Sequence, residues 1–166
     1  MSKQLSVGLL SLILAFAVSC SKKVKEEQAP TEGTPGGIQQ EAMNFSSAGS
    51  DSGSIAGLST IHFAYDSSAL DQTARGLLKD NAGWIKTNSK VTVQIEGHCD
   101  ARGSVEYNLA LGERRAKAVK DYLTSLGVES KRMTIISYGK EKPLEVGDTE
   151  AIYARNRRAN FVPLNN

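Results

Sequence analysis

The segment at positions 97–116, GHCDARGSVEYNLALGERRA, concentrates side chains that could do chemistry. His98, Cys99 and Asp100 are consecutive, and a pair of arginines ending at Arg115 follows about fifteen residues later. These residue types are compatible with a catalytic site that uses the thiol, with a metal site, or with a binding pocket that holds one charge of each sign. The choice depends on the elements that position them and on the compartment.

Hydrophobic periodicity predicts four strands and three helices around this segment. Apolar residues alternate in the strands and recur at three- and four-residue spacing in the helices. Asp71 and Ser104 are suited to cap the two longer helices, and Gly127 to end the second. The order βαβαβ(α)β predicts an α/β or α+β fold of two layers, with a small mixed sheet covered by helices. The predicted strands are 61–65, 91–96, 133–138 and 158–162, and the predicted helices are 72–88, 105–126 and 151–155.

This arrangement places Asp100 just after the second strand and Arg115 in the middle of the second long helix. Loops at the carboxyl ends of strands are where such sheets usually present ligand sites. Arg115 shares a helix face with Leu111, whereas the core face passes through Ala116. Asp100 and Arg115 are therefore expected to face one hollow. The same spacing is also compatible with an ion pair between the two side chains that has only a structural role.

A metal site would have to use His62, His98 and Asp100, a two-histidine, one-carboxylate set of the kind found in some iron oxygenases. These are the only two histidines of the chain, and nothing in the sequence sets the register between them. A nucleophilic Cys99 lacks the orienting third group that such sites use. If Cys20 is acylated, Cys99 also has no partner for a disulfide within the chain. We therefore expect no enzyme activity, no metal and no cofactor.

The N-terminus predicts export. A positive start is followed by an apolar run at 5–18, which is shorter than the roughly 20 residues of a permanent transmembrane helix. The run ends in AVSC at 17–20, which resembles the bacterial lipoprotein cleavage box. On this interpretation 1–19 is a signal peptide and Cys20 is the acylated first residue, held by more than one lipid chain. The alternative is an ordinary secretory signal with a chance cysteine. Ser21, in place of an aspartate, favours the outer membrane.

Composition divides the rest of the chain in two. With 20 basic and 18 acidic residues the net charge is +2, which gives no general electrostatic case for nucleic acid as a partner. Residues 20–57 are rich in Lys, Glu, Gln, Ser, Gly and Pro and cannot bury enough apolar surface to offset their ordering entropy. They are predicted to be the acylated cysteine and a flexible tether. Residues 58–166 are predicted to form one domain of ordinary size.

Residues 59–163 resemble the OmpA-like peptidoglycan-binding domain family, and within it the peptidoglycan-associated lipoproteins of Tol-Pal systems. The segments that carry the resemblance stand in the family's order and spacing. They are IHFAYDSSAL, VQIEGHCDARGSVEYNLALGERRAKAV, ISYGKEKP and NRRANF.

The resemblance implies a non-enzymatic lipoprotein of the outer membrane whose domain faces the periplasm. It implies that this domain binds peptidoglycan non-covalently, so that the protein tethers the outer membrane to the cell wall. It further implies a TolB-like periplasmic partner and a role in envelope integrity and cell division. The alternative is another OmpA-like wall-binding lipoprotein that acts outside Tol-Pal.

The resemblance also implies which residues bind. In the family, the aspartate of the GH-x-D segment and the second arginine of ERRA contact the diaminopimelate of peptidoglycan, and here they are Asp100 and Arg115. The carboxylate offers only acceptors, and the guanidinium offers a fork of donors that matches a carboxylate. The pair is therefore expected to hold the ammonium and the carboxylate at the end of that amino acid. The candidate lining residues are Phe63, Asp66, His98, Leu111 and Asn156.

Overall fold

The computed structural model describes residues 48–165. The predicted signal peptide, Cys20 and most of the predicted tether lie outside the described residues. The elements follow the predicted order, with short 3-10 turns at Ser50–Ser52 and Ser130–Arg132. They are β1 (Ile61–His62), α1 (Gln72–Thr87), β2 (Val91–His98), α2 (Val105–Ser125), β3 (Met133–Gly139), α3 (Glu150–Asn156) and β4 (Arg158–Asn165).

The four strands form one mixed sheet in the order β1-β4-β2-β3. β2 and β3 are parallel, and β4 runs antiparallel to both β1 and β2. The predicted fold class is therefore confirmed. One strand is shorter than predicted, because β1 ends at His62 and the chain turns at Asp66, whose φ of +51° lies in the left-handed region.

The two long helices begin where the sequence predicts, because polar side chains satisfy their first free N–H groups. Asp71 accepts from Ala74 N at 2.7 Å, and Ser104 accepts from Tyr107 N at 3.2 Å. Their apolar faces pack on one side of the sheet and form a single core. Among residues 48–165, no helix is both long and apolar enough to cross a membrane. The core is centred on Ile61, Leu78, Ile85, Val93, Ile95, Val119, Leu123 and Phe161.

Two glycines allow α2 to lie directly on β2. A Cβ atom on Gly97 would stand 1.9 Å from the carbonyl oxygen of Gly112, and one on Gly112 would stand 2.3 Å from Ser137 Oγ. The backbones of α2 and β2 are therefore in direct contact where the helix crosses the strand. The contact brings the α2 face that carries Leu111 and Arg115 next to the end of β2, where the Asp100 loop begins.

Two residues before the predicted domain, Ser50 and Asp51, contact β4. Ser50 is buried, and its hydroxyl donates to Asn160 Oδ1 at 3.0 Å. The Asp51 carboxylate accepts from Arg158 Nη2 of β4 at 3.1 Å. These two contacts join residues upstream of 58 to the last strand of the sheet.

We expect Gly97→Ala to lower the free energy of unfolding by about 3 kcal/mol, because a methyl group at the crossing forces the helix and strand apart. Gly83→Ala in α1 is the matched control, since a Cβ there meets nothing within 4 Å. Alanine is the better helix former, so the control should be stabilised by roughly 0.5–1 kcal/mol. Urea denaturation of both variants measures the difference. Equal stability of Gly97→Ala and the wild type would contradict the close contact.

Candidate ligand-binding site

A hollow of about 240 Å³ opens where three segments meet: the loop after β1, the loop after β2, and α2. Of the residues selected from the sequence, Asp66, Asp100, Leu111 and Arg115 all line it. The expected convergence of Asp100 and Arg115 on one hollow is present in the structure. The other lining residues are Tyr65, Cys99, Arg102, Gly103, Tyr107, Asn108 and Arg157.

Asp100 is almost fully buried and held by two arginines. Arg102 donates through Nη2 to Oδ2 at 2.6 Å and through Nε to Oδ1 at 3.2 Å, and its backbone N–H donates to Oδ1 at 3.1 Å. Arg157 Nη1 donates to Oδ2 at 3.2 Å. Burial by itself would raise the pKa of Asp100, but these hydrogen bonds outweigh it and hold the pKa below its usual value. The side chain is therefore a carboxylate at neutral pH.

Arg115 is the largest fully buried side chain of the domain, with 0% exposure. Its guanidinium donates to three backbone carbonyls: Ser67 O at 2.8 Å, His98 O at 2.8 Å and Ala64 O at 3.1 Å. A fourth donor reaches Cys99 Sγ at 3.3 Å. An arginine has five N–H donors, so these contacts occupy four of them. Arg115 thus connects the loop after β1 to the end of β2.

The contacts of Arg115 bear on two arrangements expected from the sequence, an ion pair with Asp100 and a bidentate contact with a ligand carboxylate. Asp100 takes Arg102 and Arg157 as its ion-pair partners, so the structural pair between Asp100 and Arg115 is not the arrangement found. A bidentate grip by Arg115 on a ligand carboxylate would require at least one of its present hydrogen bonds to break. The first role of Arg115 is therefore to hold the walls of the hollow together, a role that the sequence did not predict.

Arg102 occupies the rim of the hollow, with its side chain 35% exposed. Its guanidinium lies between two aromatic rings, 4.1 Å from the centroid of Tyr65 and 4.3 Å from that of Tyr153. Nη1 is also 3.6 Å from Glu150 Oε2. Arg102 is not among the site residues predicted from the sequence. Its position could have indicated a role at the site, because Arg102 follows Asp100 by two positions in the loop that begins at the end of β2.

Phe63 packs behind the hollow, next to Arg157, which lines it. Phe63 is buried in the core, and its ring centroid lies 5.2 Å from the guanidinium carbon of Arg115. Its carbonyl accepts from Arg157 Nε at 3.0 Å, and Arg157 Nη2 also reaches Glu150 Oε1 at 2.8 Å. Phe63, expected as a candidate lining residue, therefore contributes packing beneath the site and does not line it.

The opposite wall is formed by the start of α2 and the turn after β1. The Tyr107 hydroxyl donates to Asp66 Oδ1 across the rim. Asn108 Nδ2 donates to Arg102 O at 2.7 Å and to Ser104 O at 2.9 Å, which fastens the Asp100 loop to the helix. Both Tyr107 and Asn108 also line the hollow.

His98 does not face this hollow, contrary to expectation. Only its carbonyl contacts Arg115, whereas its ring stacks on Tyr138 with centroids 5.5 Å apart. Its Nε2 lies 3.5 Å from Glu96 Oε2 in a second hollow, of about 430 Å³, which opens elsewhere on the domain. The reason is strand alternation: Ile95 points into the core, so Glu96 and His98 point to the other face of the sheet.

Asn156 is likewise not a lining residue. It is buried at the end of α3, where its Oδ1 accepts from Leu144 N at 2.7 Å and from Glu145 N at 3.1 Å. Its Nδ2 donates to Glu145 O at 2.7 Å. Its amide therefore closes the loop between β3 and α3, which is a structural role.

The structure does not bring the proposed metal ligands together. His62, His98 and Asp100 line three different hollows, and within residues 48–165 no three His, Cys, Asp or Glu side chains form a set that could hold a metal ion. Burial raises the pKa of the Cys99 thiol by more than the neighbouring Arg115 lowers it. Cys99 is therefore a protonated thiol that donates to Asn108 O at 3.3 Å, and a poor nucleophile.

Arg115→Met should lower the free energy of unfolding by at least about 3 kcal/mol, because it leaves the carbonyls of Ala64, Ser67 and His98 without a donor. The matched control is Arg114→Met, next to it on the exposed side of α2. Surface substitutions of this kind usually change stability by no more than about 0.5 kcal/mol. Urea denaturation followed by circular dichroism measures both. Equal midpoints for the two variants would contradict the structural role of Arg115.

Comparison with known proteins gives a consistent result. The OmpA family matches residues 62–157. The peptidoglycan-associated lipoprotein of Pseudomonas aeruginosa is 41% identical over 158 residues, covering 92% of each chain, and that of Brucella melitensis is 38% identical over 156 residues, covering 90% of this chain and 86% of the relative. These relatives are named for association with peptidoglycan and not for a reaction.

Solved structures agree with this result. The crystal structure of the peptidoglycan-associated lipoprotein from Burkholderia pseudomallei is 41% identical and matches with a TM-score of 0.61, covering 63% of this chain and 89% of that one. The C-terminal domain of Helicobacter pylori MotB matches with a TM-score of 0.62 at 21% identity, covering 66% of this chain and 87% of that one, a likeness of fold alone. The chain therefore belongs to the OmpA family and, within it, to the peptidoglycan-associated lipoproteins.

Proposed function

We propose that this protein binds peptidoglycan non-covalently by taking the side-chain end of diaminopimelate into the hollow at Asp100. The observation that carries the proposal is a buried, ionised carboxylate at the edge of a hollow that also contains arginines. The end of diaminopimelate bears an ammonium and a carboxylate on one carbon. An ionised Asp100 is a suitable acceptor for the ammonium, and charge-assisted hydrogen bonds of this kind are about twice as strong as neutral ones.

The size of the hollow supports a side chain as the ligand. Its volume of about 240 Å³ is below the roughly 300–1,000 Å³ of sites that enclose whole drug-sized molecules. A single amino-acid side chain can enter, while the remaining peptide and the sugars would lie outside. Tyr65 and Tyr107 are exposed at the rim, where these outer parts of the ligand would pass.

We further propose that Cys20 is acylated in the outer membrane and that residues 20–47 connect the lipid to the domain in the periplasm. Because Ser50 and Asp51 already contact β4, this connection is shorter than the 20–57 tether expected from composition. Pulled straight, 28 residues reach about 95 Å. The protein would then tether the outer membrane to the cell wall, with lipid at one end and wall at the other.

We also propose that this tether acts in a Tol-Pal system, in envelope integrity and cell division, which its relatedness to the peptidoglycan-associated lipoproteins supports. A TolB-like periplasmic protein is the partner that this role requires. The proposal concerns binding alone, and no catalytic step belongs to it.

Asp100→Asn tests the wall contact. The substitution keeps the shape of the side chain and removes its charge, so affinity for purified peptidoglycan should fall by at least about tenfold. Co-sedimentation of the full chain in detergent with purified sacculi measures it, and circular dichroism shows whether the fold is kept. Asp121→Asn is the matched control, because Asp121 is exposed and pairs with Lys117 on the surface of α2. Undiminished sedimentation of Asp100→Asn would exclude this hollow as the wall site.

Cys20→Ser tests the anchor independently of the wall contact. The variant should lose incorporation of labelled palmitate and, after lysozyme digestion of the wall, should leave the outer-membrane fraction. Its co-sedimentation with sacculi should be unchanged, because the residues that line the hollow lie between 65 and 157. Continued recovery of the variant with the outer membrane after digestion would argue against lipidation at this residue.

A further inference from the structure

The two buried acids within residues 48–165, Asp100 and Glu96, are compensated differently. Asp100 is 4% exposed and is paired with two arginines. Glu96 is 7% exposed, but in this part of the chain no lysine or arginine lies within ion-pair distance of its carboxylate. Its hydrogen-bond donor is the neutral amide of Asn160, at 2.9 Å. Buried charges are normally paired, so the described residues leave Glu96 without a compensating cation.

Glu96 keeps its charge beside a histidine that is itself incompletely satisfied. Burial by itself would raise the pKa of Glu96, but its polar neighbours, His98 first and then Asn160, outweigh this and hold the pKa below its usual value. The His98 ring is 1% exposed, and its Nε2 lies 3.5 Å from Glu96 Oε2, which is long for a hydrogen bond. Neither ring nitrogen has a hydrogen-bond partner within residues 48–165. Such buried polar groups normally have partners, so this point of the sheet is prepared for further contacts.

Both side chains face the hollow of about 430 Å³, which we call the sheet-face hollow. It lies on the side of the sheet opposite the core that α1 and α2 cover, because residues 96 and 98 of β2 alternate with the core residue Ile95. Its volume is within the roughly 300–1,000 Å³ of sites that enclose a ligand. Its apolar walls are formed by Pro143, Leu144, Val162 and Leu164.

The charged residues of the sheet-face hollow show which sign of charge it accepts. Lys142 places Nζ 4.3 Å from the centroid of the Tyr138 ring, which stacks on His98. Arg158 donates through Nε and Nη2 to Asp51 Oδ2, at 3.2 and 3.1 Å. Each of these cations is therefore engaged by another group. An anion that entered would meet the ionised Glu96, whereas a cation would be attracted to it.

We propose that the sheet-face hollow is a docking site for an arginine side chain of a partner protein, with Glu96 as the acceptor for its guanidinium. A guanidinium is planar, offers two parallel donors to a carboxylate and is more weakly hydrated than an ammonium, so it is suited to a buried acceptor. The aliphatic part of the side chain would lie against Val162 and Leu164. This site is on the opposite face of the sheet from His98 to the hollow at Asp100, and its function goes beyond the proposed contact with the wall.

Exposed apolar residues beside the hollow favour a protein segment over a small free cation. Leu144 forms part of the wall and is 48% exposed, and Val146, in the same loop between β3 and α3, is 87% exposed. The Asn156 amide holds this loop through Leu144 N at 2.7 Å and Glu145 N at 3.1 Å. Apolar side chains around a central arginine are typical of protein interfaces. We therefore expect the partner to present its arginine between apolar residues.

Titration of the full chain in detergent with N-acetyl-arginine methylamide, followed by NMR of the histidine rings, tests the charge contact. The chain has only two histidines, and His62, which lines a different hollow, is the internal reference. The His98 signals should shift saturably, with a dissociation constant on the order of 1 mM for one charge-assisted pair. The citrulline derivative has nearly the same shape without the charge, so it should bind at least about tenfold more weakly.

Glu96→Gln should weaken binding of the arginine derivative by at least about tenfold, because it removes the charge of the acceptor. Glu113→Gln, at an exposed position of α2, is the matched control and should bind as the wild type does. Thermal denaturation shows whether Glu96→Gln is folded. Its co-sedimentation with sacculi should be unchanged, which separates this site from the proposed wall contact. Equal affinities of the wild type for the arginine and citrulline derivatives would overturn the proposal, whatever the variant does.

A second probe, the capped tripeptide Leu-Arg-Leu, tests the assignment to a protein segment. It should bind about tenfold more tightly than the arginine derivative, since the leucines add apolar contact. Leu144→Ser should remove this gain and leave binding of the arginine derivative within about twofold of the wild type. A tripeptide that binds no more tightly than the single residue would overturn the assignment. Tighter binding after Lys22, Lys23 and Lys25 are all changed to Gln would also overturn it, by identifying the chain's own basic residues as the occupant.

Discussion

The hollow depends on one buried cation. The Arg115 guanidinium cannot lose its proton under ordinary conditions, so the domain must surround it with acceptors, and it does so with carbonyls from two separate segments. Ala64 and Ser67 belong to the loop after β1, and His98 ends β2. Because burying an unpaired charge is costly, this loop has little freedom to move away from the strand. The same requirement explains the close crossing of Gly97 and Gly112, which brings α2 near enough for the side chain to reach.

The three arginines around the hollow differ in burial and in the groups that hold them. Arg115 is satisfied by backbone and is fixed. Arg157 connects a backbone carbonyl with two carboxylates and is nearly as buried. Arg102, at the rim, is held by aromatic faces and a single close carboxylate. Depth therefore separates arginines that residue type alone does not distinguish: the two deep ones are committed to protein acceptors, and the outer one is partly open to solvent.

The sequence predicted the parts that follow from periodicity. The elements, both long-helix caps and the convergence of Asp100 with Arg115 all derive from patterns in which side-chain position repeats along the chain. The acceptors of Arg115 were not predictable, because carbonyls exist at every position and carry no residue signature. The orientation of the His98 side chain could have been predicted, because His98 follows the core residue Ile95 by three positions and therefore lies on the opposite face of the strand. The sequence pattern did not indicate that Ser50 and Asp51 contact β4, because they are held by polar contacts rather than by apolar burial.

The attachment of Ser50 and Asp51 to β4 has a consequence if the protein bears mechanical load between a lipid and the wall. Tension from the N-terminal side would enter the domain at Ser50 and Asp51, which are fastened to Asn160 and Arg158 of β4. Ala159 stands opposite Gly97 in the antiparallel β2–β4 pair, and Asp100 follows Gly97 by three residues. The two attachments therefore lie at the same end of one strand pair. Load would cross the Ser50–Asn160 hydrogen bond, the Asp51–Arg158 ion pair and a few ladder hydrogen bonds, and it would bypass both long helices and the core between them.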